Sequence, residues 1–345
     1  MVISMNHKIS PWLNSAEEAQ VEMSSRIRLA RNIEGMTFPL HNQDVAQLDA
    51  MADAMERHLP DYNRVDVYKL SYEEKGILVE KHLISPAFAK NGRTCFISKD
   101  ESISIMVHEE DHIRIQAMGA NVELLEIYNA AESVDKVLET HFQYAFDENY
   151  GYLTACPTNV GTGLRASVMM HLPALSSTGL LQQFVGNLSR FGFTLRGIYG
   201  EGSQSIGHIY QLSNQLTLGQ TEAEIIENLV DLKEQLIEEE LNLRERFIGE
   251  HEIETRDTVY RALGLLKYAQ TITLKEAAKA ISDVKIGVDL ELLKLEGFKF
   301  QELIQLIQPA FIRTLIEPDE LMTRAQLDKT IDVRRATLLR NSIGG

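Results

Sequence analysis

The chain of 345 residues is short of cysteine and of positive charge, and each shortage narrows what it can be. Two cysteines, Cys95 and Cys156, cannot build a disulfide framework, so a reducing cytoplasm is the expected compartment. Against 50 Asp and Glu stand only 34 Lys and Arg, a formal net charge of −16. That balance argues against generic binding to nucleic acid or to an anionic membrane. Any polyanion that binds must meet a local cluster of cations. No apolar run reaches the ~18 residues of a membrane span. The opening "MVISMNHKISPWLNS" lacks the apolar stretch of a signal peptide, and no internal repeat or low-complexity tract is found. What remains is 44% hydrophobic and 24% charged, ordinary for a globular protein with a full core. The length suggests two domains.

Residues 40–60 place Val45, Leu48, Met51, Met55 and Leu59 at helical spacing. From 75 to 119 the pattern turns to period two: "KGILVEKHLI", "RTCFISKDESISIMV" and "HIRIQAMG" read as antiparallel strands. Residues 122–141 return to helical spacing. "GYLTACPTNVGTGLRASVMMHLPAL" reads as strand, glycine loop, then helix or strand. "FTLRGIYGEG" and "IGHIYQLSNQ" read as two further strands. Thr221 with Glu224 forms a capping box that opens a long helix, and Thr273 with Glu276 forms a second. Beyond about 250 the pattern is wholly helical, including "FQELIQLIQPAFIRTLI". The expected fold is α+β, an antiparallel sheet flanked by helices over residues 1–248, followed by an all-helical domain over 249–345.

One motif invites a metal. His108-Glu109-Glu110-Asp111-His112 fits H-E-x-x-H, which binds zinc when a helix sets its two histidines on one face. The flanks, Ile103-x-Ile105-x-Val107 and Ile113-x-Ile115, favour strands instead. In a strand those histidines stand roughly 13 Å apart, at ~3.3 Å per residue, too far to share one zinc. The acids then lie at a strand-to-strand turn, either as a solvated loop or for another chemistry. "GTGLRA" at 161–166 fits G-x-G-x-x-A, but no βαβ unit surrounds it. There is no P-loop signature.

Arginines recur in otherwise non-basic segments: "SSRIRLAR" (Arg26, Arg28, Arg31), "DHIRIQ" (Arg114), "GLRASVM" (Arg165) and "LRGIYGEG" (Arg196). Arg26 and Arg28, two apart on a strand, share a face. Converged, these side chains would make a guanidinium cage for phosphate oxygens, because the planar fork binds bidentately and stays charged. Scattered, they would pair with the abundant surface acids. Spacing alone leaves both open.

In this order, "SSRIRLARN", "HEEDHIRIQ", "CPTNVGTGLRASV" and "RGIYGEGS" resemble the phosphagen (guanidino) kinase family. Within it they resemble the bacterial branch that phosphorylates arginine side chains of proteins. The motifs span about 24–245, and "DVRRATLLR" near the end also fits. The resemblance implies a glutamine-synthetase-like catalytic fold, with ATP and Mg2+ as cofactors and no metal ligand among the protein side chains. Five arginines would hold the nucleotide phosphates: Arg26, Arg28, Arg114, Arg165 and Arg196. Around them, Ser24, Ser25, Ile27, His82, Ala166, Ser167, Val168, Met169, Gly197, Ile198, Tyr199, Gly200 and Glu201 would complete the nucleotide site. Glu110 would align the guanidinium nucleophile and take its proton, Glu201 would grip it from a second side, and Cys156 would lie beside it. Without the resemblance, Cys156 also reads as a small buried residue and His82 as an ordinary strand histidine.

Family members that act on small guanidines carry a helical domain ahead of the first arginine motif, which here begins at Ser24. An open site suits an arginine on a polypeptide. The branch also carries a C-terminal phosphoarginine pocket with the motif R-D-x-x-R-A. Asp332, Arg335 and Ala336 match it, but Ile331 stands where the motif has arginine. The implied partners are proteins with exposed arginine, a zinc-finger activator, a heat-shock repressor as substrate, a Clp unfoldase that degrades phosphorylated proteins, and a second copy in a homodimer. A small-guanidine kinase and a non-catalytic phosphoarginine-binding adaptor are the competing functions. Retention of Glu110, Glu201 and all five arginines disfavours the adaptor.

Overall fold

The computed structural model describes residues 9–13, 18–39, 44–198, 205–316 and 322–343. Among the described residues ten strands run in chain order: β1 (Glu22–Arg31), β2 (Tyr62–Asp66), β3 (Thr94–Ser98), β4 (Ile103–Val107), β5 (Ile113–Gly119), β6 (Phe146–Asp147), β7 (Gly151–Tyr152), β8 (Leu164–His171), β9 (Phe193–Gly197) and β10 (Ile209–Asn214). Eight of them form one sheet in the order β2-β3-β4-β5-β1-β8-β10-β9, with every neighbouring pair antiparallel. The other two, β6 and β7, make a small hairpin. The structure therefore has the expected antiparallel sheet.

The helices of the first part are α1 (Val45–Glu56), α2 (Tyr72–Glu80), α3 (Pro86–Asn91), α4 (Leu124–Glu139), α5 (Pro173–Thr178), α6 (Leu180–Leu188) and α7 (Glu222–Glu250). Period two decides which way each strand residue faces. Ile27, Leu29, Ile115, Ala166, Val168 and Leu212 turn to one side of the sheet and are buried against α4 and α7. The opposite side is covered at its β2–β4 end by α2 and α3, through Leu78, Phe88, Cys95 and Met106. Cys95 is thus a core residue, and burial pushes its thiol well up.

One sequence expectation fails here. Residues 75–84 are not a strand: 72–80 form α2. Ser71 accepts from the Glu74 backbone and Glu74 reaches back to Ser71, so the first turn is capped on both sides. That local hydrogen bonding outweighs the alternation of apolar residues.

The remaining helices are α8 (Glu252–Tyr268), α9 (Leu274–Asp289), α10 (Phe300–Leu306), α11 (Pro309–Arg313) and α12 (Arg324–Ile343). They share a core that includes Leu266, Ile281, Phe300 and Leu339, and this core also takes in Met23 and Ile209 from the sheet. Residues 300–316, expected as one helix, are two. Pro309 has no N–H to give and starts α11 instead. Thr221 and Glu224 make the full reciprocal capping box, whereas at α9 Thr273 accepts from the Glu276 backbone. The junction is held by a buried polar network. Arg244 on α7 donates to Glu240 (2.7 Å), to Asp289 on α9 (3.0 Å) and to the His171 carbonyl on β8 (3.1 Å). Among the described residues, no helix is long and apolar enough to cross a membrane.

Candidate active site

The register of the central strands brings the arginines together. Arg28 on β1 lies directly across from Arg165 on β8 and Gln116 on β5. Ala30, two residues on, faces Arg114. Arg196 on β9 faces Gln211 on β10, which faces Met169 on β8. With the alternation of side chains, Arg26, Arg28, Arg114, Arg165 and Arg196 all fall on the side of the sheet away from α4 and α7. Ser24, Ser167, Met169 and Gln211 share that side, and Arg26 donates to Gln211 (2.9 Å). Ile27, Ala166 and Val168 turn the other way into the core, so their backbone alone flanks the site. Ser25 also turns away and bonds Glu22. Gly197 ends β9 and Ile198 packs against the helical core. Tyr199, Gly200 and Glu201 lie outside the described residues.

Charges of one sign packed this closely repel. Burial, then Arg26, Arg114 and Arg165, push the Arg28 guanidinium below its ordinary value, with Glu109 opposing. Burial does the same to Arg165, Cys156 opposes it, and Arg196 and Arg114 reinforce it. Among the described residues, the Nε atoms of Arg28 and Arg165 are buried without a hydrogen-bond partner. A cluster of guanidiniums with unmet donors fits a polyanionic ligand, which would relieve the repulsion and fill the bonds.

Beside the cluster opens a cleft of about 150 Å3, lined by Arg28, Arg114, Arg165, Glu110, Cys156 and Asn159 among others. Glu110 and Cys156 reach it from two loops. The first, residues 108–112, reverses the chain between β4 and β5: His108 N–H donates to the His112 carbonyl (2.8 Å) and Glu109 N–H to that of Asp111 (3.1 Å). The second loop, 153–160, is closed by a bridge between Tyr152 and Gly161. Sequence reasoning missed what joins them. Buried Asp111 accepts from the Ala155 backbone (2.7 Å) and from the Asn32 side chain (2.7 Å), and Asn32 also holds the His112 N–H (2.9 Å). No spacing in the sequence marks Asn32 for this task.

The acids divide their roles. Glu109 is held between Ser85, which donates to it, and Arg114, with which it forms a close ion pair. Glu110 stays more exposed, and Arg114 donates to it only at 3.4 Å. Glu110 is therefore the carboxylate left to meet a ligand in the cleft. Cys156 is half-buried and its Sγ lies 3.0 Å from the Thr158 hydroxyl. It is a cleft residue, not a core one. Gly163 closes the floor with φ +64°; a Cβ there would lie 2.6 Å from the Ala30 carbonyl.

His108 and His112 do not stand at strand spacing. The rings of His108 and His112 are 5.5 Å apart, not far apart as on a strand, because the reversal makes residues i and i+4 neighbours across the loop. What denies the metal is bonding: His112 Nδ1 accepts from the Ile33 N–H and Nε2 donates to the Thr37 carbonyl. Among the described residues no three His, Cys, Asp or Glu are grouped to hold a metal ion. His82 follows α2 with φ +60°, not on a strand. Its carbonyl accepts from Gln116 (2.6 Å), and burial followed by Arg26 lowers its imidazole to about 4.

Residues 47–243 match the family described as ATP:guanido phosphotransferase, C-terminal catalytic domain. The chain belongs to the ATP:guanido phosphotransferase family. Residues 252–344 match the protein-arginine kinase McsB C-terminal domain. A protein-arginine kinase of Staphylococcus haemolyticus (strain JCSC1435) is 48% identical over 339 residues, 97% of this chain and 98% of that one. Another, of Staphylococcus aureus (strain USA300), is 44% identical over 348 residues, 99% of this chain and 100% of that one. The crystal structure of a lombricine kinase superposes with a TM-score of 0.56 at 25% identity, over 67% of this chain and 69% of that one. The duplicated taurocyamine kinase of Schistosoma mansoni with bound transition state analog components shares the fold, with a TM-score of 0.59 at 22% identity over 81% of this chain and 48% of that one. ATP is the phosphoryl donor that the family's description names.

The C-terminal group expected to read phosphoarginine is committed internally. Arg335 is 2% exposed. It donates to the carbonyls of Ile307 (2.8 Å) and Ile272 (2.9 Å) and pairs with Asp332. Ile331 and Ala336 are buried.

Proposed function

We propose that the chain transfers the γ-phosphoryl group of ATP to arginine side chains of proteins. The observation that carries this reading is the five arginines on one sheet face, three of which, Arg28, Arg114 and Arg165, line a cleft that also holds Glu110 and Cys156. Arg26, Arg28, Arg114, Arg165 and Arg196 would grip the phosphates and offset the charge on the transferring group, which is most of what phosphoryl transfer asks of a protein. Mg2+ would come on the phosphates and neutralise the same charge. The substrate guanidinium would enter between Glu110 and Cys156. Its free pKa is about 12.5–13.8, so its nitrogen has no lone pair to offer until a base takes a proton. Glu110 would accept that proton as the N–P bond forms and the bond from phosphorus to the ADP oxygen breaks. Cys156 and Glu201 would orient the guanidinium.

The finer assignments are proposals of the same kind: a catalytic part over 1–248, a helical part over 249–345, the cytoplasm as compartment, and a homodimer. They extend to a zinc-finger activator, a heat-shock repressor as substrate, and a Clp unfoldase acting on the marked proteins. The three aligned residues Asp332, Arg335 and Ala336 would form a phosphoarginine pocket only if Arg335 left its internal acceptors.

Incubation with radiolabelled ATP tests the central claim. Acid-labile label on the arginines of a protein such as casein supports it, with loss of label in Glu110→Gln. Label on free arginine or creatine alone would make this a small-guanidine kinase instead.

A further inference from the structure

Of the three arginines in "SSRIRLAR", two face the phosphate cluster and the third does not. Alternation along β1 turns Arg31 to the other side of the sheet, with Ile27 and Leu29, and it is 3% exposed. A guanidinium this deep needs partners to offset its lost hydration. Nε and Nη2 both donate to Asp135 Oδ2 on α4 (3.0 and 2.7 Å). Nη1 donates to the carbonyls of Ala30 (2.9 Å) and Thr162 (3.0 Å). The central carbon of the group lies 3.6 Å from the centre of the Tyr152 ring, a cation–π contact. Asp135 is held in turn by the Tyr144 hydroxyl, which donates to Oδ1 (3.0 Å).

Tyr152 and Thr162 are the two ends of the loop that walls one side of the cleft. Cys156, Thr158 and Asn159 lie between them and line that cleft. The Tyr152 N–H donates to the Gly161 carbonyl (2.8 Å) and draws the ends together. Asn32 and Asp111 hold the first half of the loop, at Leu153 and Ala155. Arg31 touches both ends at once, one through its ring and the other through its carbonyl. It also limits how the chain enters β8: a Cβ on Gly163 would lie 2.6 Å from Arg31 Nη1. Arg165 follows two residues later. We propose that Arg31 is a positioning residue for the guanidinium side of the reaction. It fixes the wall that carries Cys156 and Asn159, and so sets where the substrate nitrogen stands relative to the phosphates. This rests on the reading of the cleft as the entry point of a substrate arginine. Lysine cannot replace it, because one ammonium cannot pair with Asp135, reach Thr162 and lie flat on a tyrosine ring together.

The test compares the full wild-type chain with Arg31→Lys and with Arg31→Met/Asp135→Leu. The double variant removes both charges, since losing Arg31 alone would strand a buried carboxylate and destabilise the whole chain. Kinetics with ATP and a peptide of one arginine flanked by glycines give both KM values and kcat. Iodoacetamide alkylation is followed at each cysteine. Cys95 is buried in the core, so its labelling reports unfolding, while that of Cys156 reports the loop. In both variants kcat/KM for the peptide should fall roughly 100-fold, through higher KM and lower kcat, while KM for ATP stays within about twofold. Cys156 should react several-fold faster and Cys95 should stay unlabelled. A KM for ATP that rises in step with that for the peptide overturns the proposal, because Arg31 would then act on the phosphate cluster. So does a fall in kcat alone accompanied by labelling of Cys95, which is a merely structural role. If the wild-type chain labels no arginine, the reading of the cleft fails by itself. An unchanged Cys156 rate in the variants overturns the positioning role separately.

Discussion

Glu109 and Glu110 are adjacent and chemically identical, yet their surroundings give them different work. Glu109 is tied between Ser85 and Arg114, while Glu110 faces the cleft. Replacing Glu110 with Gln keeps shape and removes the proposed base, so kcat should fall about 100- to 10,000-fold with little change in KM for ATP. Glu109→Gln should act differently, by loosening Arg114 and raising KM for ATP. Steady-state kinetics on a protein substrate separate the two, and equal kcat losses would refute the division. Arg28→Lys should raise KM for ATP because a point charge replaces a bidentate fork. The arginine face was legible in the sequence because alternation on a strand fixes sidedness and the family's motifs named the members. Asn32 and the task of Asp111 were not legible. Asn32 and its partner His112 are 80 residues apart in the chain, Asp111 and its partner Ala155 are 44 apart, and only the fold brings them within bonding distance.

At the scale of elements, strands with a buried face were readable, and the failures came where local hydrogen bonding competes with hydrophobic period. α2 formed over a run that alternates because Ser71 and Glu74 cap it. The 108–112 reversal placed two histidines together because a turn cancels strand spacing. Proline divided α10 from α11. Glycine marks another element whose form the sequence hints at but does not explain. Gly163 holds a left-handed φ between the cleft loop and β8, pressed against Ala30 and Arg31. Gly163→Ala adds a Cβ where L-residues are strained and backbone is in the way, a cost of roughly 2 kcal/mol or more. Because the floor of the cleft would shift with it, kcat should drop alongside thermal stability. A chain with unchanged melting temperature and unchanged kcat would show that the backbone there yields freely.

Across the whole molecule, three glutamates, Glu240 buried and Glu18 and Glu80 half-buried, stitch distant segments by capping helix starts. Glu18 accepts from Phe300 and Gln301 at α10, Glu240 from Ala174 and Leu175 at α5, and Glu80 from Ala310 and Phe311 at α11. Glu18 and Glu80 thereby tie the sheet-bearing part to the helices that follow residue 252. In each, burial raises the carboxyl despite the bonds it accepts. Glu80 is raised to about 7, against the opposing pull of Arg313 and Arg335. A carboxyl raised on folding binds its proton more tightly in the native chain than in the unfolded one. Its contribution is therefore full below the unfolded value of 4.5 and is lost as pH rises through about 7. His82 and His108 work in the other direction. Burial lowers both to about 4, so their contribution is full above the unfolded 6.5 and is lost as pH falls toward 4. The opposing slopes overlap between pH 4.5 and 6.5, and the wild-type profile alone would hide them. Glu80→Gln isolates one. Chemical denaturation from pH 5 to 8 should show wild-type stability falling relative to the variant as pH rises, by up to about 3 kcal/mol. A difference that stays constant over that range would mean that Glu80 titrates in the folded chain as it does in the unfolded one. The α2–α11 contact would then be insensitive to pH.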